Sequence, residues 1–189
     1  MTRFCLVRHG QTDWNLEGRY QGQGDVPLNE TGRVQARALA ETLKGQTFAA
    51  IYSSDLKRAS ETAQIVAAPL HLPVTFDVRL REISMGEWEG QLVETVSERY
   101  AEVWESRATD PVIVGAPGGE AVGQVAARMS DALCDIARHH PAAQVLVASH
   151  GLALATVICK VRGISLERAY EVIPGNAEAT WIDWDEAGC

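Results

Sequence analysis

Two histidines in this chain stand in the same setting. His9 follows the run Phe4-Cys5-Leu6-Val7-Arg8 and precedes Gly10; His150 follows Val145-Leu146-Val147-Ala148-Ser149 and precedes Gly151. Each apolar run reads as a buried strand, and in open α/β sheets ligands bind just past the carboxyl ends of strands. An arginine beside an imidazole at a glycine turn suits an anion. The plainer readings are a surface turn for Arg8-His9-Gly10 and a core-edge histidine donating to a carbonyl for His150. Finding two such strand-end turns in one chain weakens the plainer pair.

Two further residues carry chemistry. Arg58 falls in the first turn of a helix that opens at Ser53-Ser54-Asp55. The partial positive charge of a helix N-terminus opposes a cation there by roughly 0.3–1 kcal/mol, while its free N–H groups attract an anion. Either Arg58 pairs with nearby Asp55 or Glu61, or it serves a site. Glu82, directly after Leu80-Arg81, is the better candidate for a buried acid; Glu87 and Glu89 read as a solvated loop. His71, His139 and His140 read as structural or solvent-facing, the last two at a helix C-terminus where the dipole favours them. No H-x-x-x-H or similar spacing occurs, so neither a metal site nor a cofactor is expected.

The elements that must position these residues alternate. Strands are expected at Phe4–Val7, Phe48–Tyr52, Val74–Phe76, Gln144–Ala148 and Thr180–Trp184. Helices are expected at Thr31–Leu43, with Thr31 as N-cap and Val34, Leu39 and Leu43 on one face, and at Ser54–Val66. Leu92–Arg107 reads as polar and helical, and Thr109–Glu120 as a Pro/Gly loop. Ala121–Arg138 is amphipathic along Val122, Val125, Met129, Leu133 and Ile136, and Leu152–Val161 is apolar nearly all round, as a buried helix would be. The alternation predicts an α/β fold, a mostly parallel sheet with helices on both faces, in a single domain over residues 1–189.

Composition sets the limits. With 189 residues, 46% apolar and 22% charged, the chain can bury a sizeable core. Its net charge of −8 disfavours nucleic acid and anionic membrane, so an anionic substrate needs a local positive pocket. Cys5, Cys134, Cys159 and Cys189 are widely scattered with no C-x-x-C pair, and all four are expected to be reduced thiols. The first residues show no basic segment followed by an apolar stretch and cleavage site, and no apolar run is long enough to span a bilayer, so a cytoplasmic protein is expected.

The motifs together resemble the histidine phosphatase superfamily, the phosphoglycerate mutase-like proteins. The matching stretches are Leu6-Val7-Arg8-His9-Gly10-Gln11-Thr12 with Asn15 and Gln21-Gly22, then Leu28-Asn29-Glu30-Thr31-Gly32, and Tyr52-Ser53-Ser54-Asp55-Leu56-Lys57-Arg58-Ala59. Leu80-Arg81-Glu82, Gly86-Glu87-Trp88-Glu89-Gly90, Pro117-Gly118-Gly119-Glu120 and Ser149-His150-Gly151 complete the set in the family's order. Many relatives carry Glu where this chain has Gln11, and often Ser where it has Ala121.

The resemblance implies a three-layer α/β/α sandwich and a set of roles. His9 is the implied nucleophile, forming a phosphohistidine; Arg8, Arg58 and His150 hold the phosphoryl group; Glu82 is proton donor and later base. Asn15, Gln21, Gly22, the Gly151 N–H and Asn176 add phosphate or substrate contacts. Guanidiniums fit phosphate geometry, and phosphoryl transfer asks mainly for positioning and charge stabilisation. Neighbouring arginines keep His9 neutral by disfavouring its protonation. The implied activity is hydrolysis of small phosphorylated metabolites without metal, and the resemblance allows a homodimer. Two alternatives stand beside it: a phosphoglycerate mutase, disfavoured by the short Gly90 to Pro117 interval, and a non-catalytic phosphate-binding scaffold. The spacing of Met85 to Gly90 resembles that of α-ribazole phosphatases and broad-specificity phosphatases. Trp14, Tyr20, Met85, Trp88 and Trp104 are candidates for the acceptor wall, with ordinary packing as the equal alternative.

Overall fold

A computed structural model describes residues 1–185 and Cys189. The chain runs β1 (Thr2–Arg8), α1 (Asp13–Glu17), α2 (Glu30–Leu43), β2 (Ala50–Ser53), α3 (Lys57–Ala67), β3 (Val74–Phe76), α4 (Val93–Arg99) and α5 (Ala101–Thr109). It continues through α6 (Val122–His139), β4 (Gln144–Ser149), α7 (Gly151–Arg162) and β5 (Ala179–Trp184). The strands lie in the order β3-β2-β4-β1-β5. All pairs are parallel except β1 with the edge strand β5.

Side chains alternate across a strand, and that alternation divides the core in two. Phe4 and Leu6 of β1, with Val145 and Val147 of β4, pack on one face with the stripes of α6 and α7. Cys5, Val7, Leu146 and Ala148 pack on the other with Leu39, Ala40 and Leu43 of α2 and Ala63 and Val66 of α3. Strands buried on both sides need helices on both sides, which makes the three-layer α/β/α arrangement. The parallel register brings the carboxyl ends of β1, β2 and β4 together: Arg8 lies opposite Ser149 and Ser53 opposite Ala148. Among the described residues no helix is long and apolar enough to cross a membrane.

Several local expectations are corrected. Asn29, not Thr31, caps α2: its side chain accepts from the Gly32 N–H at 2.9 Å, which moves the cap two residues back and starts the helix at Glu30. Val34 is exposed, because Ala36 and Ala40 bring that helix close and carry the buried face with Leu39 and Leu43. The expected helix Leu92–Arg107 is broken at Tyr100, whose φ of −118° and ψ of 34° turn α4 into α5. Cys134 and Cys189 are disulfide-bonded, against the expectation of four thiols; only Cys5 and Cys159 are free. The partners are 55 residues apart in sequence, a separation that leaves no local spacing signal.

Candidate active site

The loop after β1 is pinned on several sides. The His9 N–H donates to the Ser149 carbonyl at 3.0 Å, tying it to the end of β4. The Gly10 N–H donates to Thr62 Oγ1 at 3.0 Å, tying it to α3. A β-carbon on Gly10 would meet the Gly32 carbonyl oxygen at 2.4 Å, so the loop lies directly on α2 only because residue 10 is glycine. Behind His9, Asn176 Nδ2 donates to the His9 carbonyl at 3.1 Å. His9 itself is 3% exposed. Its Nδ1 lies 2.7 Å from the Gly10 carbonyl, an acceptor only, which assigns the proton to Nδ1 and leaves Nε2 as the lone-pair nitrogen. Burial first, then the charges of Arg58 and Arg8, hold the ring's pKa well below the usual histidine value.

Three cationic or donor groups surround it. Arg58 is fully buried in the first turn of α3 and donates to the carbonyls of Gly24 and Gly22, each at 2.7 Å. It does not pair with Asp55, which takes Arg81 at 2.7 Å, or with Glu61, which takes Arg33 at 2.6 Å. Burial lowers the Arg58 pKa to about 10, still a cation at neutral pH. Arg8 is held by the Pro174 carbonyl at 2.6 Å. His150 is the buried N-cap of α7, its ring centroid 5.2 Å from that of His9. Its Nε2 lies 2.8 Å from Ser54 Oγ, and burial followed by Arg58 keeps its pKa well below the usual value. Among the described residues Arg8 Nε, Arg58 Nε and His150 Nδ1 are all buried without a hydrogen-bond partner. Buried polar nitrogens are normally paired, so the orphans on Arg8 and Arg58, which line one cavity with His9, and on His150, whose ring lies 5.2 Å from that of His9, describe a cradle for an anion.

Glu82 completes the ring. Its carboxylate accepts from the Leu152 and Ala153 N–H groups at 3.1 and 3.0 Å and from Ile83 N at 2.9 Å. Two of these donors belong to the first turn of α7, where a negative charge is favoured. Gly151 lets Ile173 and Arg8 pack against the start of α7: a β-carbon there would stand 2.9 Å from Ile173 Cγ2 and 3.3 Å from the Arg8 guanidinium. Arg128, on α6, ties the segment down by donating to the carbonyls of Arg79, Arg81 and Glu82 and to Glu120. Arg8, His9, Arg58 and Glu82 line one cavity of about 160 Å³ together with Gln21, Gly22 and Gly151. His150, Asn15 and Asn176 stand outside its wall. Asn15 spends its side chain on Thr12 at the start of α1, and also meets Asn176 Nδ2 at 3.4 Å.

The acceptor-wall candidates divide. Tyr20 and Met85 line this cavity, and Tyr20 and Trp104 line an adjoining one of about 350 Å³. Trp88 is fully buried packing, and Trp14 packs against Gly24 and Gly90. Glu87 is exposed as expected, but Glu89 is not a solvated loop residue. Its Oε1 accepts from Gln23 N at 2.9 Å and Met85 N at 3.0 Å, binding two loops together. Sequence reasoning missed Arg128 and Arg107. Arg128 sits between Val125 and Met129 on the apolar stripe of α6, and that position was its signal. Among the described residues no three His, Cys, Asp or Glu side chains gather as a metal ion would require.

Comparison with known proteins gives consistent matches. A model of the histidine phosphatase superfamily (branch 1) matches residues 4–189. Phosphoserine phosphatase 1 of Hydrogenobacter thermophilus is 36% identical over 186 residues, covering 98% of this chain and 88% of that protein. The probable phosphoglycerate mutase GpmB of Salmonella choleraesuis is 34% identical over 188 residues, covering 99% and 87%. Among solved structures, the α-ribazole phosphatase from Shigella flexneri superposes with a TM-score of 0.88 at 26% identity, covering 97% of this chain and 91% of that one.

Proposed function

The chain belongs to the histidine phosphatase superfamily, branch 1, and on that premise we propose that it is a phosphomonoesterase that passes the phosphoryl group of a small phosphorylated metabolite through His9 to water. The observation that carries this reading is the set of unpartnered buried nitrogens on Arg8, Arg58 and His150, among the described residues, beside a neutral imidazole. An anion site built for binding alone gains nothing from holding a neutral, lone-pair nitrogen at its centre.

In this reading His9 Nε2 attacks phosphorus and the bond to the ester oxygen breaks. Arg8 and Arg58 neutralise charge on the equatorial oxygens, and His150 adds a donor that becomes cationic with the phosphoryl group in place. Glu82 protonates the departing alkoxide; in the second half it takes a proton from the water that attacks the phosphohistidine, and phosphate leaves. Gln21, Gly22 and the Gly151 N–H contribute substrate contacts from the cavity wall, and Asn15 and Asn176 support the His9 loop from behind. The positive charge comes from guanidiniums, so the proposed reaction needs no metal ion.

The test is turnover of p-nitrophenyl phosphate in EDTA with the wild-type and His9→Ala proteins. Activity in the first and a loss of at least about a thousandfold in the second is expected, since removing a catalytic nucleophile costs up to about 10⁶-fold in kcat. A His9→Ala protein with wild-type turnover sinks the assignment. Resemblance to the probable phosphoglycerate mutase supports a second reading, phosphoryl transfer between positions of phosphoglycerate. Only the short stretch from Gly90 to Pro117 separates the Glu82 loop from the Pro-Gly-Gly-Glu turn, leaving little chain to keep water out. Interconversion of 3- and 2-phosphoglycerate faster than hydrolysis would reverse the choice.

A further inference from the structure

Among the described residues three arginines have a buried Nε without a partner: Arg8, Arg58 and Arg107. All three line the same cavity. The phosphoryl group accounts for the first two, and the third lies beyond it. Arg107, in the last turn of α5, is 7% exposed. Its Nη2 donates to the Tyr170 hydroxyl and touches Met85 Sδ at 3.8 Å. The rings of Tyr170 and Trp88 flank the guanidinium at 5.3 and 5.8 Å. Among the described residues it pairs with no carboxylate. A buried cation without a counter-ion is costly, and five N–H donors call for more than one phenol oxygen. Arg128 shows the contrast: a structural arginine of this fold is saturated by three carbonyls and a carboxylate.

We propose that Arg107, with Tyr170, binds a carboxylate on the leaving-group side of the substrate, so that the substrate is a phosphomonoester of a small hydroxy acid rather than of a neutral alcohol. This rests on the phosphatase reading above. The cavity of about 160 Å³ holds both the phosphoryl cradle and Arg107, which suits a carboxylate a few bonds from the phosphate. A second phosphate shares the same oxyanion chemistry, and the adjoining cavity, which Tyr20, Arg107 and Tyr170 also line, gives it more room.

The experiment compares kcat/KM for D-3-phosphoglycerate against glycerol 3-phosphate, which differ by a carboxylate in place of a hydroxymethyl group, and for fructose 1,6-bisphosphate against fructose 6-phosphate. The wild type should prefer the carboxylate member by about tenfold or more, the scale of a charged hydrogen bond. Arg107→Met should collapse that preference, and Arg107→Lys and Tyr170→Phe should reduce it. A preference confined to the bisphosphate pair and lost with Arg107 makes the second anion a phosphate. No preference for either anionic member, or one that survives in Arg107→Met, overturns the proposal. If Arg107→Met does not fold, survival of the preference in both Arg107→Lys and Tyr170→Phe overturns it. If the wild type turns over none of these esters, the phosphatase reading fails separately. Calorimetric binding of the first pair to wild type and variant then decides: tighter binding of the carboxylate member, lost with Arg107, supports the site, and equal binding refutes it.

Discussion

A carboxylate that accepts three backbone N–H groups is held in one place whatever sits in front of it, and that fixity is what the proposed proton transfer by Glu82 needs. Its removal should therefore be felt in proportion to the leaving group's need for a proton. Glu82→Gln should slow an alkyl phosphate by about 10²–10⁴-fold, the usual worth of a general acid, while p-nitrophenolate, which leaves without help, should lose far less. Equal losses on the two substrates in steady-state assays would remove the acid role. Arg8, His9, Arg58, Glu82 and His150 each break a local rule at the edge of a recognisable element, and the resemblance joined them into one proposed site; the structure brings Arg8, His9, Arg58 and Glu82 to one cavity, with the His150 ring 5.2 Å from that of His9. Arg58 gave two readings, and only the structure separates them, by assigning Asp55 to Arg81 and Glu61 to Arg33. Glu89 and Arg107 were not legible. Glu89 reaches a loop amide 66 residues away besides the nearby Met85 N–H, and Arg107 reaches a phenol 63 residues away; no single stretch of chain carries either long-range pairing.

Strand ends deliver the reacting groups, but helix starts fix their distances. Three elements converge on the His9 loop: β4 through Ser149, α3 through Thr62, and α2 through backbone contact at Gly32. Replacing Gly10 by Ala puts a β-carbon 2.4 Å from the Gly32 oxygen, and neither backbone can yield without moving the loop. The expected cost is about 1–3 kcal/mol, a fall in Tm of roughly 2–4 °C per kcal/mol for a chain of this size, readable by calorimetry. Turnover should fall with it, and a Gly10→Ala protein with unchanged Tm would mean the loop and α2 are not pressed together. Apolar runs and the 3.6-residue period located, among the described residues, the five strands and the long helices in advance. They failed where side-chain chemistry rather than burial sets the boundary: at Asn29, which caps α2 ahead of Thr31, and at Tyr100, where the backbone turns inside a polar helical stretch.

At the scale of the whole molecule a net charge of −8 surrounds a pocket of cations and neutral imidazoles. That arrangement links folding to pH. His9 and His150 are held well below the usual histidine pKa, in both cases chiefly by burial, whereas the unfolded chain titrates near 6.5. Above 6.5 both states are neutral and the full stability is present. As pH falls below 6.5 the unfolded state binds protons that the folded state refuses, so stability drops by up to about 1.4 kcal/mol per pH unit for each histidine. The loss ends once the lower folded-state values are reached. A bound anion changes the account: phosphate between Arg8, Arg58 and His150 favours the charged form of His150, and a ligand that binds only the folded state stabilises it by mass action. Thermal melts from pH 7.5 to 5 should therefore show a Tm that falls below pH 6.5 without phosphate and falls less with it, the gain from phosphate growing toward acid. Glu and Asp protonation acts on the same melts, so the His150→Gln variant separates the terms. It should lose most of the acid-side gain from phosphate while keeping some at pH 7.5 through the two arginines. A gain from phosphate that stays constant across this range, or that persists unaltered in His150→Gln, would show that the two histidines do not share the anion's charge.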